Sequence, residues 1–310
     1  MKFIFLGTAD FGILALKRLL DLGHSCVGVV TNPPKPSGRG LKLRKSQVHQ
    51  FCDESLITPV LTPESLKSEE FLSKIKTLDA DIFFVVAFSI LPEVLFSIPP
   101  KGTFNIHAAL LPKFRGPAPI QRAIEVGAKE SGVTLFRIDR GVDTGNILVQ
   151  LSCKIKHNDS TPTLYERLSS LGADAIEYGV KLIEGGDELY NTQDHSNATK
   201  APLLKKSEGE INWSDGAELI YNRVRAFKPF PKVFTTINQK VHVIEWGEFR
   251  DSNQNSTTPG QILSISKEGI DIACGEGVFT ITEIKPAGKR AMKVSDFING
   301  VDLSEGTIIG

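Results

Sequence analysis

Over residues 1–185 the chain alternates short apolar runs, rich in β-branched and aromatic residues, with longer stretches of helical periodicity. The runs are KFIFL, CVGVV, DIFFVVAF, GTFNIHA, GVTLFRI and GNILVQLSCKI; the helical stretches include ILALKRLLDLG, ESLKSEEFLSKIKTL and TPTLYERLSSLGADAIEYGVKLIEG. Runs that are apolar throughout, rather than at every second residue, need cover on both faces, and intervening helices supply it. An α/β fold with a mostly parallel sheet follows. Ligands of such a sheet bind in the crevice beyond the carboxyl ends of the strands, so polar residues there are the first candidates for chemistry.

The alternation then stops. Residues 187–208 are polar and hold no sustained periodicity, which reads as a linker. One amphipathic stretch, DGAELIYNRVRAF, precedes the short alternating runs KVFTTI, QKVHVIEWGEF, GQILSI, GIDIAC and GVFTITEIK, the pattern of a small β-barrel or sandwich. A chain of 310 residues exceeds the usual single-domain size. The expected organisation is therefore a domain over 1–186, a linker over 187–208 and a second domain over 209–310.

Charge narrows the function classes. With 36 Lys and Arg against 36 Asp and Glu, no global field draws a polyanion, so any nucleic-acid site must come from local clusters. No run approaches the roughly 20 apolar residues that span a bilayer, and the N-terminal run is too brief for a signal-peptide core. Cys26, Cys52, Cys153 and Cys274 are far apart, with no CxxC pair and no His in metal spacing, so free thiols, a cytoplasmic compartment and no metal are expected. GTADFG after the first strand lacks the dinucleotide spacing, and no acidic residue closes CVGVV, which disfavours a nicotinamide enzyme. A plain strand-to-helix turn is the expectation there.

Three stretches near the expected crevice carry chemistry. NPPKPSGRGLKLRKS holds Lys35, Arg39, Lys42, Arg44 and Lys45 without one acid, and its Pro and Gly content makes it a long exposed, extended or mobile loop suited to a phosphate backbone. In FNIHA, Asn105 and His107 share a strand face because side chains alternate. A carboxamide donor beside an imidazole can stabilise an oxyanion and move a proton, the minimum equipment for acyl transfer. IDRGVDTGNIL ends a strand in a Gly-bounded loop with two carboxylates, Asp139 and Asp143, either of which can orient the imidazole or serve as a turn residue. No Ser or Cys sits in a nucleophile elbow, so direct transfer in a ternary complex is expected rather than an acyl-enzyme. In the C-terminal half, EIKPAGKRAMK groups Lys285, Lys289, Arg290 and Lys293 around a Pro-Gly turn.

With these residues in hand, the chain resembles the methionyl-tRNA formyltransferase family over nearly its whole length. The matching stretches are FLGTADFG, VVTNPPKPSGRGLKL, FNIHAALLPKFRGPAPIQRAI, GVTLFRIDRGVDTGNIL, LYERLSSLGA, INW, RVRAFKPFP and KPAGKRAM. The Asn-x-His with LLPxxRGxxPIQ and the DxGxDTGxxL stretch are specific to folate-dependent formyltransferases. The resemblance implies a Rossmann-like catalytic domain followed by an OB-type barrel that binds tRNA. It implies transfer of a formyl group from 10-formyltetrahydrofolate, a co-substrate, to the α-amino group of methionine on initiator tRNA. Carried onto this chain, Asn105, His107 and Asp143 are catalytic, and Phe88, Ala109, Leu110, Leu111, Pro112 and Val142 contact folate. Lys35, Arg39, Lys42, Arg44 and Lys45, with Lys285, Lys289 and Arg290, bind tRNA. No membrane partner is expected, and a monomer is.

Two departures stand out. The family commonly has Tyr-Gly in the loop beside the pterin, whereas this chain has Phe88-Ser89 in VVAFSILPEVL with one residue fewer, which is expected to reshape the folate pocket and leave the catalytic trio intact. Phe230 stands where Trp is frequent. The alternative within the superfamily is a formyltransferase acting on a small amino sugar or nucleotide; such a substrate needs no five-cation loop. A silent tRNA-binding module, in turn, has no reason to hold Asn105, His107 and Asp143 together.

Overall fold

The computed structural model of the chain describes residues 1–37, 42–251 and 258–310. The apolar runs become strands and the periodic stretches helices. The first part of the order is β1 (Lys2–Gly7), α1 (Ile13–Asp21), β2 (Ser25–Val30), β3 (Lys35–Ser37), β4 (Lys42–Arg44), α2 (Gln47–Glu54) and β5 (Val60–Leu61). Then come α3 (Glu69–Thr77), β6 (Ile82–Val86), α4 (Glu93–Phe96), β7 (Thr103–His107), α5 (Pro119–Glu125), β8 (Glu130–Arg137), β9 (Ile147–Lys154) and α6 (Thr161–Gly185).

Seven strands form one sheet in the order β5-β2-β1-β6-β7-β8-β9. The five from β5 to β7 run parallel, and β8 and β9 pair antiparallel beyond them, as expected of a mostly parallel sheet. Alternation sends Ile4, Leu6, Val30, Phe83 and Val85 into one core with Phe71 and Ile75 of α3 and Leu95 of α4. Phe3, Phe84 and Phe104 form a chain of ring contacts, with centroids 6.2 and 6.4 Å apart. Each such side chain, fully buried, contributes about 1.5–3 kcal/mol, which fixes the strands whose ends hold the site.

Two local elements differ from the sequence reading. The base of the basic loop is a ribbon, β3 antiparallel to β4 with Lys35 opposite Arg44. Helix α2 follows it, capped by the Ser46 hydroxyl, which accepts the His49 N–H at 3.0 Å. Val48 and Cys52, four apart, form its buried stripe, too short a signal to read as a helix on its own.

The chain divides into two compact units, one of Met1–Pro119, Glu130–Lys154 and Tyr165–Ala201, the other of Ile120–Lys129, Ile155–Leu164 and Pro202–Gly310. This differs from the expected 1–186, 187–208 and 209–310. Much of the expected linker is tied into the first unit by its backbone: Asn191 and Ile147 exchange N–H···O bonds of 2.9 Å, and Arg115 and Ala201 are joined at 2.7 Å. A segment without an apolar stripe can still be fixed this way, because its peptide groups need partners whatever its side chains are.

In the second unit, helix α7 (Ala217–Ala226) is followed by β10 (Val233–Ile237), β11 (Lys240–Arg250), β12 (Ile262–Ile265), β13 (Ile270–Ala273), β14 (Val278–Pro286), β15 (Met292–Lys293) and α8 (Val294–Phe297). The antiparallel sheet runs β10-β11-β14-β13-β12, with β15 on β14. Its end strands do not pair with each other. The C-terminal tail bonds to both sides: Ile309 N–H donates to Gly260 at 2.9 Å and Gly310 N–H to Thr236 of β10 at 3.1 Å. Tyr221 of α7 packs on Trp246 and Phe249 of β11, with centroids 6.1 and 5.2 Å away.

Candidate active site

Strand β7 carries Asn105 and His107 to the carboxyl end of the sheet. The His107 Nε2–H donates to the Phe114 carbonyl at 2.8 Å; a carbonyl only accepts, so Nε2 holds a proton. The other ring nitrogen, Nδ1, stands 3.7 Å from Asp143 Oδ2, in ion-pair range and beyond a direct hydrogen bond. That same Oδ2 accepts the Gly116 N–H at 2.8 Å.

The two carboxylates of the loop after β8 have separate surroundings. Asp139 turns its Oδ1 onto its own loop, accepting from the Gly141 N–H at 2.9 Å and the Thr144 hydroxyl at 2.6 Å. Asp143 faces the imidazole, and its backbone takes φ 54°, the left-handed region.

Asn105 is half-buried, and its amide makes no hydrogen bond among the described residues. It lines a recess of about 110 Å³ together with Phe88, Phe136, Val142 and Asp143. Residues 88–91 also line a larger cavity of about 1140 Å³ that reaches Lys35 and residues 63–67. The recess and the cavity thus share one wall, the altered Phe88-Ser89 loop. Glu93, on the large cavity, is joined to Arg140, on the recess, at 2.8 and 3.0 Å.

The other expected positions fall in different places. Residues 109–112 line neither space: Ala109 and Leu111 are buried, Leu111 against Phe136 and Ile147. The Thr134 hydroxyl donates to the Ala109 carbonyl at 2.6 Å and accepts the Leu111 N–H at 3.1 Å, while Gln150 donates to the Leu111 carbonyl at 2.8 Å. The segment holding Ala109, Leu110, Leu111 and Pro112 therefore backs the site from the core. Lys35 lines the large cavity, Arg44 is exposed and Lys45 pairs with Asp53 at 2.6 Å. Lys42 starts β4, and Arg39 lies outside the described residues. Lys285 on β14, and Lys289 and Arg290 on the turn after it, are exposed in the second unit.

The GTADFG turn is not an open cradle for phosphate. The Asp10 N–H goes to Gln47 at 3.2 Å, the Phe11 N–H to the Tyr165 hydroxyl at 2.8 Å and the Gly12 N–H to Ala9 at 3.3 Å. Burial pushes the thiols of Cys26 and Cys52 up to about 11 and that of Cys274 up to about 12, so these three are poor nucleophiles. Among the described residues no group of three or more His, Cys, Asp and Glu could hold a metal ion, and no helix is long and apolar enough to cross a membrane.

Gln193 and Arg115 of the first unit also bear on Asp143: Gln193 donates to its carbonyl and Arg115 donates to Gln193. A single Gln in a polar stretch has no periodicity to announce it; only its long-range partners do.

Residues 1–178 match the formyl transferase family model, and residues 203–302 match the model of the formyl transferase C-terminal domain. The chain is 39% identical to the methionyl-tRNA formyltransferase of Marinobacter nauticus over 302 residues, 97% of this chain and 96% of that one. It is 40% identical to the methionyl-tRNA formyltransferase of Hydrogenovibrio crunogenus over 310 residues, covering 99% and 98%. The chain belongs to the methionyl-tRNA formyltransferase family. Among solved structures, the methionyl-tRNA formyltransferase from Clostridium thermocellum matches with a TM-score of 0.53 at 18% identity, over 83% of this chain and 95% of that one. The N-formyltransferase from Helicobacter canadensis, in complex with folinic acid and dTDP-3-aminofucose, matches at 0.66 and 20%, over 91% and 99%. These two likenesses concern the fold. Within that family fold, Asn105, His107 and Asp143 converge from β7 and the loop after β8.

Proposed function

We propose that this chain moves the formyl group of 10-formyltetrahydrofolate to the α-amino group of methionine on initiator tRNA, giving formylmethionyl-tRNA for translation initiation in the cytoplasm. The observation that carries the reading is the 40% identity to a methionyl-tRNA formyltransferase across 99% of the chain, both domains included. The site is compatible with it. Apolar Phe88, Ile90 and Leu91 suit a flat aromatic ring, and the adjoining cavity of about 1140 Å³ has room for a folate-sized molecule.

The α-amine forms a bond to the donor's formyl carbon, the bond from that carbon to the folate nitrogen that bore it breaks, and tetrahydrofolate departs with a proton on that nitrogen that balances the one the amine loses; the chain's residues assist these changes. An α-amino group with a pKa of about 7.7–8.0 has a useful neutral fraction near pH 7, so no strong base is needed to make it a nucleophile. Asn105 offers an uncommitted amide N–H to the oxyanion that forms on attack, without having to break an existing bond. His107 has Nε2–H committed to Phe114, so Nδ1 is the nitrogen left to exchange a proton. Asp143 faces that atom across 3.7 Å, a gap a water can bridge from the side, and provides the carboxylate toward which the amine's proton moves. The cations of the β3–β4 ribbon and of the turn after β14 serve the tRNA backbone, for which a small amino sugar has no use.

The test is incubation with 10-formyltetrahydrofolate and either charged initiator tRNA or a nucleotide-linked amino sugar. Formylmethionine from the tRNA with no product from the sugar is the expected result; the reverse would move the chain to the amino-sugar class.

A further inference from the structure

Asp143, at φ 54°, occupies a left-handed backbone conformation that its surroundings must hold for a residue with a side chain. Its neighbours supply that constraint. The buried Gln193 amide donates from Nε2 to the carbonyls on both sides of the bend, Asp143 at 3.0 Å and Gly145 at 2.7 Å. Its Oε1 accepts from Arg115 Nε at 3.2 Å and Nη2 at 2.6 Å. A guanidinium only donates and a carbonyl only accepts, so the Gln193 amide has one orientation and every contact is matched.

Arg115 sits within the stretch that meets the other catalytic groups. Phe114 accepts from His107, and Gly116 donates to the Asp143 carboxylate. This stretch is in turn laced to residues 199–201: the Phe114 N–H reaches the Thr199 hydroxyl at 2.8 Å, and the Arg115 N–H reaches the Thr199 carbonyl at 2.9 Å. Gly116 has φ 121°, and a Cβ there would lie 2.7 Å from the Ala201 carbonyl, so the closeness of the two segments is built into the sequence.

From this we infer that Gln193 is a positioning residue for the transfer reaction, holding Asp143 at its distance from His107 through the Arg115–Gln193 pair. The inference rests on the reading of Asp143 given above. Gln193 lines neither the recess nor the large cavity, so it touches neither substrate there. Its loss frees the Asp143 bend to relax, and displacements of the order of 1 Å at a reacting group cost about a hundredfold in rate.

The experiment is a double-mutant cycle on the full chain, read as kcat and KM for both substrates in the formylation assay, with thermal melting alongside. Gln193→Ala removes the clamp; Gln193→Glu keeps the size and the acceptor for Arg115 but turns the donor atom into a second acceptor against two carbonyls. Both are expected to lower kcat about tenfold or more while each KM stays within about threefold. In an Asp143→Asn background the same changes are expected to cost less than about twofold, since the group they position no longer works. An undiminished kcat in Gln193→Glu, or an equal loss in both backgrounds, would overturn the inference and leave the site reading standing. A near-normal Asp143→Asn enzyme would instead remove that reading and the inference with it. Should Gln193→Ala melt at the assay temperature, Gln193→Glu alone decides.

Discussion

Asn105 is half-buried, lines the recess and has an amide that bonds to nothing among the described residues, so no internal contact depends on it. Groups kept in that condition are ready for a partner that arrives with the reaction. Asn105→Ala is therefore expected to cut turnover by about a hundredfold or more while leaving the melting temperature unchanged or raised. Kinetics and thermal melts on one preparation check both; a variant with normal turnover and a lowered melting point would make Asn105 a structural residue. At this scale the sequence was partly legible. Strand alternation alone puts Asn105 and His107 on one face, because that rule needs only the backbone. The spacing of the loop residues alone does not separate Asp139 from Asp143, and only the family resemblance names Asp143; the φ of 54° and the bond from Gly116 that set it apart are not written locally.

Among elements, the antiparallel sheet of the second unit has a carboxylate that ties its own strand to three others. Asp271 on β13 accepts from Arg250 on β11 at 3.1 and 2.7 Å, from Thr280 on β14 at 2.7 Å and from Ser264 on β12 at 2.9 Å. Burial alone would raise this carboxyl, yet the bonds from Arg250, Thr280 and Ser264 outweigh it and hold it below the ordinary value. A depressed carboxyl contributes its stability above the unfolded pKa of about 4, and that stability is lost as pH falls through the lower folded value. Asp271→Asn is expected to destabilise the unit by about 1–3 kcal/mol at pH 7 and to lose that difference from the native chain below about pH 4. Melting curves across that range check it, and a difference unchanged down to pH 3 would rule it out. The strands themselves were legible from their alternation. The ribbon β3–β4, helix α2 and the tie of residues 191–201 were not, because each rests on a short cap or a backbone bond to a distant segment.

For the molecule as a whole, 36 basic residues are balanced by 36 acidic ones, so the attraction for a polyanion has to come from patches. Each phosphate neutralised by a cation contributes a slope of about −0.7 to −0.9 in log affinity against log salt. Binding of tRNA is thus expected to weaken steeply with salt despite the neutral total, and Lys289→Ala with Arg290→Ala to flatten the slope by about one for each cation removed. Salt titrations of the native chain and the double variant check it; equal slopes would take the turn after β14 out of the interface. Both domains were legible in outline, since α/β alternation gives way to short alternating strands. The unit boundary was not, because residues 120–129 and 155–164 join the second unit through long-range partners, such as Thr161 with the Ala226 carbonyl at 2.6 Å.

Formyl transfer is proposed to take place at the cluster of Asn105, His107 and Asp143. Single-turnover formylation of methionyl initiator tRNA, with 10-formyltetrahydrofolate and excess enzyme, measures that step apart from product release. The native chain is expected to form formylmethionyl-tRNA, and Asp143→Asn to do so about a hundredfold more slowly or worse with the fold intact. A rate for Asp143→Asn within about threefold of native would contradict the assignment.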